Sequence, residues 1–133
     1  MRKVFLDTAG ILALVNQRDA LHQRAVRLSA ELEVESAHFF LTDYILVEIG
    51  NALAKHKKLA VQTIDYLQNS DDVTIIKITN KIMAKALDIY KKYLDKDWGL
   101  TDVTSFVVME QEKIEEAFTS DHHFKQFGFK ILL

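Results

Sequence analysis

The feature that most constrains this chain is an alternation of short apolar runs with longer segments whose apolar residues recur at helical spacing. Val4–Leu6, His38–Leu41, Val73–Ile78, Ala117–Thr119 and Lys130–Leu133 read as strands. Between them, Leu21, Ala25, Leu28 and Leu32 predict a helix over Ala20–Val34. Ile45, Ile49, Ala52 and Leu53 share one face of a helix capped by Thr42 or Asp43, and Val61, Ile64 and Leu67 mark a shorter one. Ile82, Ala86, Ile89 and Tyr93 continue a helix out of Thr79 or Asn80. Val103, Phe106, Val107 and Met109 form another, with Thr101 as its cap. Strands separated by helices imply an α/β layered domain with a mostly parallel sheet.

The chain has 133 residues, no proline, no repeats and no Gly-rich linker, so a single domain over residues 1–133 is expected. Hydrophobic residues make up 49%, enough for a sizeable core, which argues against disorder. Seventeen Lys and Arg against nineteen Asp and Glu leave a net charge of -2, which excludes a protein that grips phosphate by bulk positive charge. The absence of cysteine excludes disulfides and thiolate metal sites. The opening MRKVFLDTAGILALV has a basic tip and apolar residues. Asp7 interrupts the run, however, and no cleavage pattern follows. No stretch approaches the roughly 20 apolar residues of a membrane span. A soluble cytoplasmic protein is the default expectation.

Four acids stand at positions where carboxylates do chemistry. Asp7 follows the first strand, and in open α/β sheets ligands gather at the carboxyl ends of strands. Its bland alternative is a turn or cap residue. Glu48 sits at the rim of the apolar arc of its helix, where an acid needs a cation or water; a surface glutamate is the alternative. Asp102 lies at a helix start, where free N–H groups favour a carboxylate, yet Phe106 and Met109 at i+4 and i+7 turn it toward the core side. Asp121 follows the Ala117–Thr119 strand by two residues, a second acid at a strand end; a helix N-cap is its alternative. His122 and His123, being adjacent, point in different directions and read as a helix start or surface pair rather than as two ligands of one ion. Several ionised carboxylates share a cleft only when cations neutralise them, and all-oxygen ligands select Mg²⁺ or Mn²⁺.

At these residues the sequence resembles the PIN-domain ribonucleases, and among them the toxins of VapC-type toxin–antitoxin pairs. The resemblance spans Val4 to Leu133. VFLDTAGILAL is similar to the family's opening strand and acid, TDYILVEIGNAL to the helix bearing its glutamate, DWGLTDVTSFVVM to its third motif, and AFTSDHHFKQFGFKIL to its closing motif. The resemblance implies a three-layer α/β/α sandwich with a central parallel sheet. It implies Mg²⁺- or Mn²⁺-dependent cleavage of RNA with Asp7, Glu48, Asp102 and Asp121 as catalytic, metal-holding acids. It also implies a cognate antitoxin that blocks the site, and a homodimer. Where family members often have a serine near the first acid, this chain has Ala9 and Gly10; Thr8 is the hydroxyl at hand, and Thr119 stands two residues before the last acid. Both are assigned supporting roles.

For RNA contact the candidates are Trp98, Arg18 and Lys125, along with the run Lys55-His56-Lys57-Lys58. An aromatic ring can stack on an unpaired base, which singles out Trp98 in the charged loop before Asp102; a wedge in the core or dimer interface is its alternative. Asp97 reads as a loop residue. Two phosphoryl-transfer readings fail on the residues. A receiver-type phosphoacceptor needs an acidic pair after the first strand, and a haloacid-dehalogenase-like phosphatase needs an Asp where Ala9 stands. The remaining rival is a module of the same fold that binds RNA or protein with weak or no catalysis.

Overall fold

The structure is a computed structural model covering residues 1–133. Its strands are β1 (Lys3–Leu6), β2 (His38–Thr42), β3 (Val73–Ile76), β4 (Glu116–Phe118) and β5 (Lys130–Ile131). Its helices are α1 (Thr8–Val15), α2 (His22–Val34), α3 (Asp43–Ala52), α4 (Lys57–Asn69), α5 (Asn80–Lys92), α6 (Leu100–Gln111) and α7 (His122–Phe127). The strands form one sheet in the order β3-β2-β1-β4-β5, with every pairing parallel. Helices flank the sheet in a three-layer α/β/α arrangement. A parallel sheet covered on both faces explains why its central strands read as unbroken apolar runs. Val4, Phe5 and Leu6 of β1 and Ala117 and Phe118 of β4 are all buried.

The strand order places the site. From β1 the chain steps outward through β2 to β3, then returns to lay β4 on the other side of β1. The crevice at the carboxyl ends of β1 and β4 is therefore the point where the winding reverses, and that is where such sheets bind ligands.

An aromatic core beside the sheet aligns two helix starts at this crevice. Phe106 of α6 meets Phe124 of α7 edge-on at 5.0 Å between ring centres and stacks on Phe127 at 4.7 Å. Phe124 also packs on Phe5 of β1 at 6.2 Å. Asp102 is one turn before Phe106 and Asp121 is three residues before Phe124, so this packing brings the two acids to one place.

The structure departs from the sequence reading at several points. The reading assigns no element between Asp7 and Ala20, yet α1 occupies Thr8–Val15. This helix is apolar nearly all round, because it is sandwiched in the fold, so it lacks the polar face that would announce it. Gly10 permits the fit: a Cβ there would lie 2.0 Å from the Phe118 carbonyl oxygen. The strand read over Val73–Ile78 ends at Ile76, opposite Thr42 at the end of β2. Beyond it the Ile78 N–H donates to the Asp43 carboxylate (2.9 Å) instead of to a ladder. Helix α6 begins at Leu100 with Gly99 as its cap, not at Thr101. The helix read from Val61, Ile64 and Leu67 is three and a half turns long, not short. Caps at Thr42 and Asp121 form, the former accepting from the Ile45 N–H and the latter from the His123 N–H.

Candidate active site

Asp7 leaves β1 in an extended conformation and begins α1 by accepting the Ile11 N–H at its carbonyl (3.1 Å), while its side chain makes no capping bond. The carboxylate is thus spared for other partners. It is 4% exposed, and its Oδ2 accepts the hydroxyl of fully buried Thr119 at 2.8 Å. The same Thr119 oxygen accepts the Asp121 N–H (3.0 Å), which joins the loops after β1 and β4. Burial pushes the Asp7 carboxyl up to about 7, the charges of Asp102 and Asp121 push the same way, and the bonds from Thr119 and the Thr8 amide oppose them.

Glu48 projects from α3, half-buried, with Oε1 accepting the Thr8 hydroxyl at 2.7 Å. Asp102 occupies the first turn of α6. Its Oδ2 accepts the His123 ring Nδ1–H at 3.0 Å and, more distantly, the Gly99 N–H at 3.4 Å. Burial and then Asp121 raise its pKa, with His123 opposing. Asp121 caps α7 and accepts the His123 backbone N–H at Oδ1 (2.9 Å).

All four acids line one open cleft, together with Thr8, Asn51 and Ala52. Ala52 is exposed toward this cleft, so it is a wall of the site and not the core residue its helical spacing predicts. A separate, mostly apolar cavity between α1, α2 and α4 contains none of these four acids; Glu33 and Asp72 are the only carboxylates in its lining. In the acid cleft the donors are carboxylate oxygens, two of them with raised pKa. Such a set fits a hard divalent cation, because a cation relieves both the burial and the mutual repulsion.

The structure does not bring every candidate here. Trp98 is 6% exposed and lies against Tyr93, Phe106 and Phe127, with its indole N–H donated to Gln126 (2.9 Å). It is a core wedge and has no free face for a base. Arg18 is exposed but lies beyond the carboxyl end of α1, a helix of eight residues and so about 12 Å long, away from Asp7 at its start. Lys125 is exposed one turn along α7 from Asp121, and does not line the cleft. Conversely, the ring of His123, read from the sequence as part of a bland pair, touches both Asp102 and Asp121. Its position two residues after an N-cap acid was the available signal; the partner on α6 was not visible in the sequence.

Known proteins share this shape, and VapC20 among them is also similar in sequence. The chain is similar to the 23S rRNA-specific endonuclease VapC20 of Mycobacterium tuberculosis, 27% identical over 129 residues that cover 95% of both chains. The crystal structure of that sarcin–ricin loop cleaving toxin superposes with a TM-score of 0.86 over 95% of each chain at 26% identity. VapBC2 from Rickettsia felis, bound to a DNA fragment from its promoter, shares the fold with a TM-score of 0.69 at 14% identity over 98% of this chain and 97% of that one. FitAcB from Neisseria gonorrhoeae does so with a TM-score of 0.69 at 17% identity over 98% and 96%. The family model for the PIN domain matches residues 4–130, which includes all four acids of the cleft. The chain belongs to the PIN-domain family.

Proposed function

We propose that the chain is a Mg²⁺- or Mn²⁺-dependent endoribonuclease, the toxin of a toxin–antitoxin pair. One observation carries this reading: carboxylates from four separate segments line one cleft, and the deepest, Asp7, sits where only a proton or a cation relieves its charge. Family membership and the likeness to VapC20 support reading that cleft as a site of RNA cleavage.

Asp7, Glu48, Asp102 and Asp121 would hold the ion. When bound, a divalent ion supplies charge stabilisation at a phosphodiester and makes water a better nucleophile. The surrounding side chains orient the acids: Thr119 fixes Asp7 and Thr8 fixes Glu48, each through one hydroxyl bond. Lys125, exposed on α7 outside the cleft, would at most meet an RNA phosphate at a distance from the acids. A cognate antitoxin inhibits by setting a cationic side chain or a chain segment against the acids, since an Arg fork binds carboxylate bidentately. The active chain is a homodimer in this reading.

The test is cleavage of a sarcin–ricin loop hairpin and of an unrelated RNA in Mn²⁺, Mg²⁺ or EDTA, with Asp102→Asn as control. Metal-dependent cleavage that falls at least about 100-fold in the variant supports the reading. Cleavage undiminished in EDTA, or unchanged in Asp102→Asn, sinks it.

A further inference from the structure

His123 stands at a junction between α6 and α7. Its ring Nδ1 lies 3.0 Å from Asp102 Oδ2 on α6 and 3.3 Å from Asp121 Oδ1, and its backbone N–H donates to that same Asp121 oxygen at 2.9 Å. An ionised carboxylate has no proton to give, so the ring nitrogen between the two acids is the donor. We infer that His123 is a positioning residue: its ring holds Asp102 and its backbone holds Asp121, which sets two acids from different helices as a pair for one cation. This rests on the metal-site reading proposed above.

Three observations carry it. First, the bonds fall on one oxygen of each acid. Asp102 Oδ2 takes both His123 and Gly99, and Asp121 Oδ1 takes His123, while the second oxygen of each makes no hydrogen bond within the protein. A carboxylate tethered through one oxygen keeps the other for a ligand. Second, Asp102 and Asp121 line the cleft and His123 does not, so the ring acts through the acids and not on a substrate. Third, the ring is held in place: its side chain is only 20% exposed, and neighbouring Phe124 is fully buried against Phe106.

The alternative, direct metal ligation by the histidines, fits less well. Nitrogen and oxygen atoms of Asp121, His122 and His123 do lie within 4.8 Å of one another. Yet His123 Nδ1 is taken up by Asp102 and Asp121, which leaves only Nε2 on a ring that does not line the cleft, and the side chain of His122 is 71% exposed and no closer than 3.9 Å to Asp121. Partners of this kind, which orient metal-holding side chains, typically change metal affinity by about 10–100-fold when removed.

The experiment is Mn²⁺ binding to the whole chain by calorimetry, comparing wild type with His123→Ala and His123→Asn; the Asn amide can place a donor near the Nδ1 position. The expected result is Mn²⁺ binding weakened about 10-fold or more in His123→Ala and restored to within about 3-fold of wild type in His123→Asn. Wild-type affinity in His123→Ala overturns the inference, and so does a His123→Asn variant as weak as His123→Ala. A ¹⁵N imidazole spectrum of the metal-free wild type serves whether or not the variants fold: a protonated Nδ1 is expected, and an unprotonated one overturns the inference. If wild type itself binds no Mn²⁺, the metal-site reading fails and takes this inference with it; a loss confined to the comparison of variants leaves that reading standing.

Discussion

At Asp7, burial and charge pull against each other. The fold removes its carboxyl from water and sets two more acids nearby, which lifts it from an ordinary 3.8 to about 7. An acid with a raised folded pKa keeps its proton in the native state after the unfolded chain has lost it. The native state then binds more protons, and stability falls as pH rises. For the metal-free protein the fall is expected between about pH 4 and pH 7, the interval bounded by the two values. Its size, from roughly three pK units at 1.36 kcal/mol each, is of the order of 2–4 kcal/mol once allowance is made for coupling among the acids. Asp7→Asn should therefore be as stable as wild type near pH 4 and more stable at pH 8 in EDTA, while losing RNA cleavage. Urea unfolding across this range checks it; a variant that keeps the wild-type slope would show that another group is responsible. The same linkage predicts that metal affinity rises with pH through about 7, because ion and proton compete for one carboxylate.

At the scale of elements, close approach decides where α1 can lie. Gly10 faces Phe118 of β4 so closely that a methyl group would meet a backbone carbonyl, which cannot rotate away as a side chain can. Gly10→Ala should cost roughly 3 kcal/mol or more, at the upper end of overpacking effects. Gly50 in α3 is the control. A Cβ there meets only the end of Ile64 at 3.8 Å, so Gly50→Ala should be neutral or stabilise by up to about 1 kcal/mol through helix propensity. Denaturation midpoints of opposite sign are expected, and a harmless Gly10→Ala would refute the packing of α1 on β4. The loop before α6 is pinned in a similar way by Trp98. Truncation of this wedge, Trp98→Ala, should destabilise by about 3–5 kcal/mol, whereas Trp98→Phe should leave RNA affinity within about 2-fold of wild type if stacking on bases plays no part. A selective loss of RNA binding in a folded Trp98→Phe would restore the base-stacking role.

For the whole molecule, the acids are a cluster whose burial and mutual repulsion a bound cation would relieve. A cation that binds only the folded chain raises stability by RT ln(1 + [L]/Kd), about 2.7 kcal/mol at one hundred times Kd. Thermal unfolding should shift upward by several degrees in Mn²⁺ and revert with EDTA, and the shift should shrink strongly in Asp102→Asn. An equal shift in that variant would place the ion elsewhere. No helix is long and apolar enough to cross a membrane.

How far this could be read from the chain depends on the range of the forces involved. The layers follow from local pattern: α5 declares itself by the face its own residues make apolar, and β1 by an unbroken apolar run. The helix α1 does not, since burial on nearly every side erases the periodic signal. The cleft was legible only as acids at strand ends and helix starts and one, Glu48, at the rim of an apolar helix face. Their meeting required the reversal of strand order at β1 and β4 and the packing of Phe106 on Phe124, neither of which any local pattern encodes. The partners of those acids were hidden for the same reason. Thr119 lies 112 residues from Asp7, and His123 lies 21 from Asp102. Hydrogen bonds act over about 3 Å, so which donor serves which carboxylate was decided only when the tertiary fold had closed those distances. The sequence by itself determined most of the elements, the kinds of ligand atom on offer and the absence of thiolate ligands. The fold decided which oxygens are committed, which are free, and that Trp98 belongs to the core.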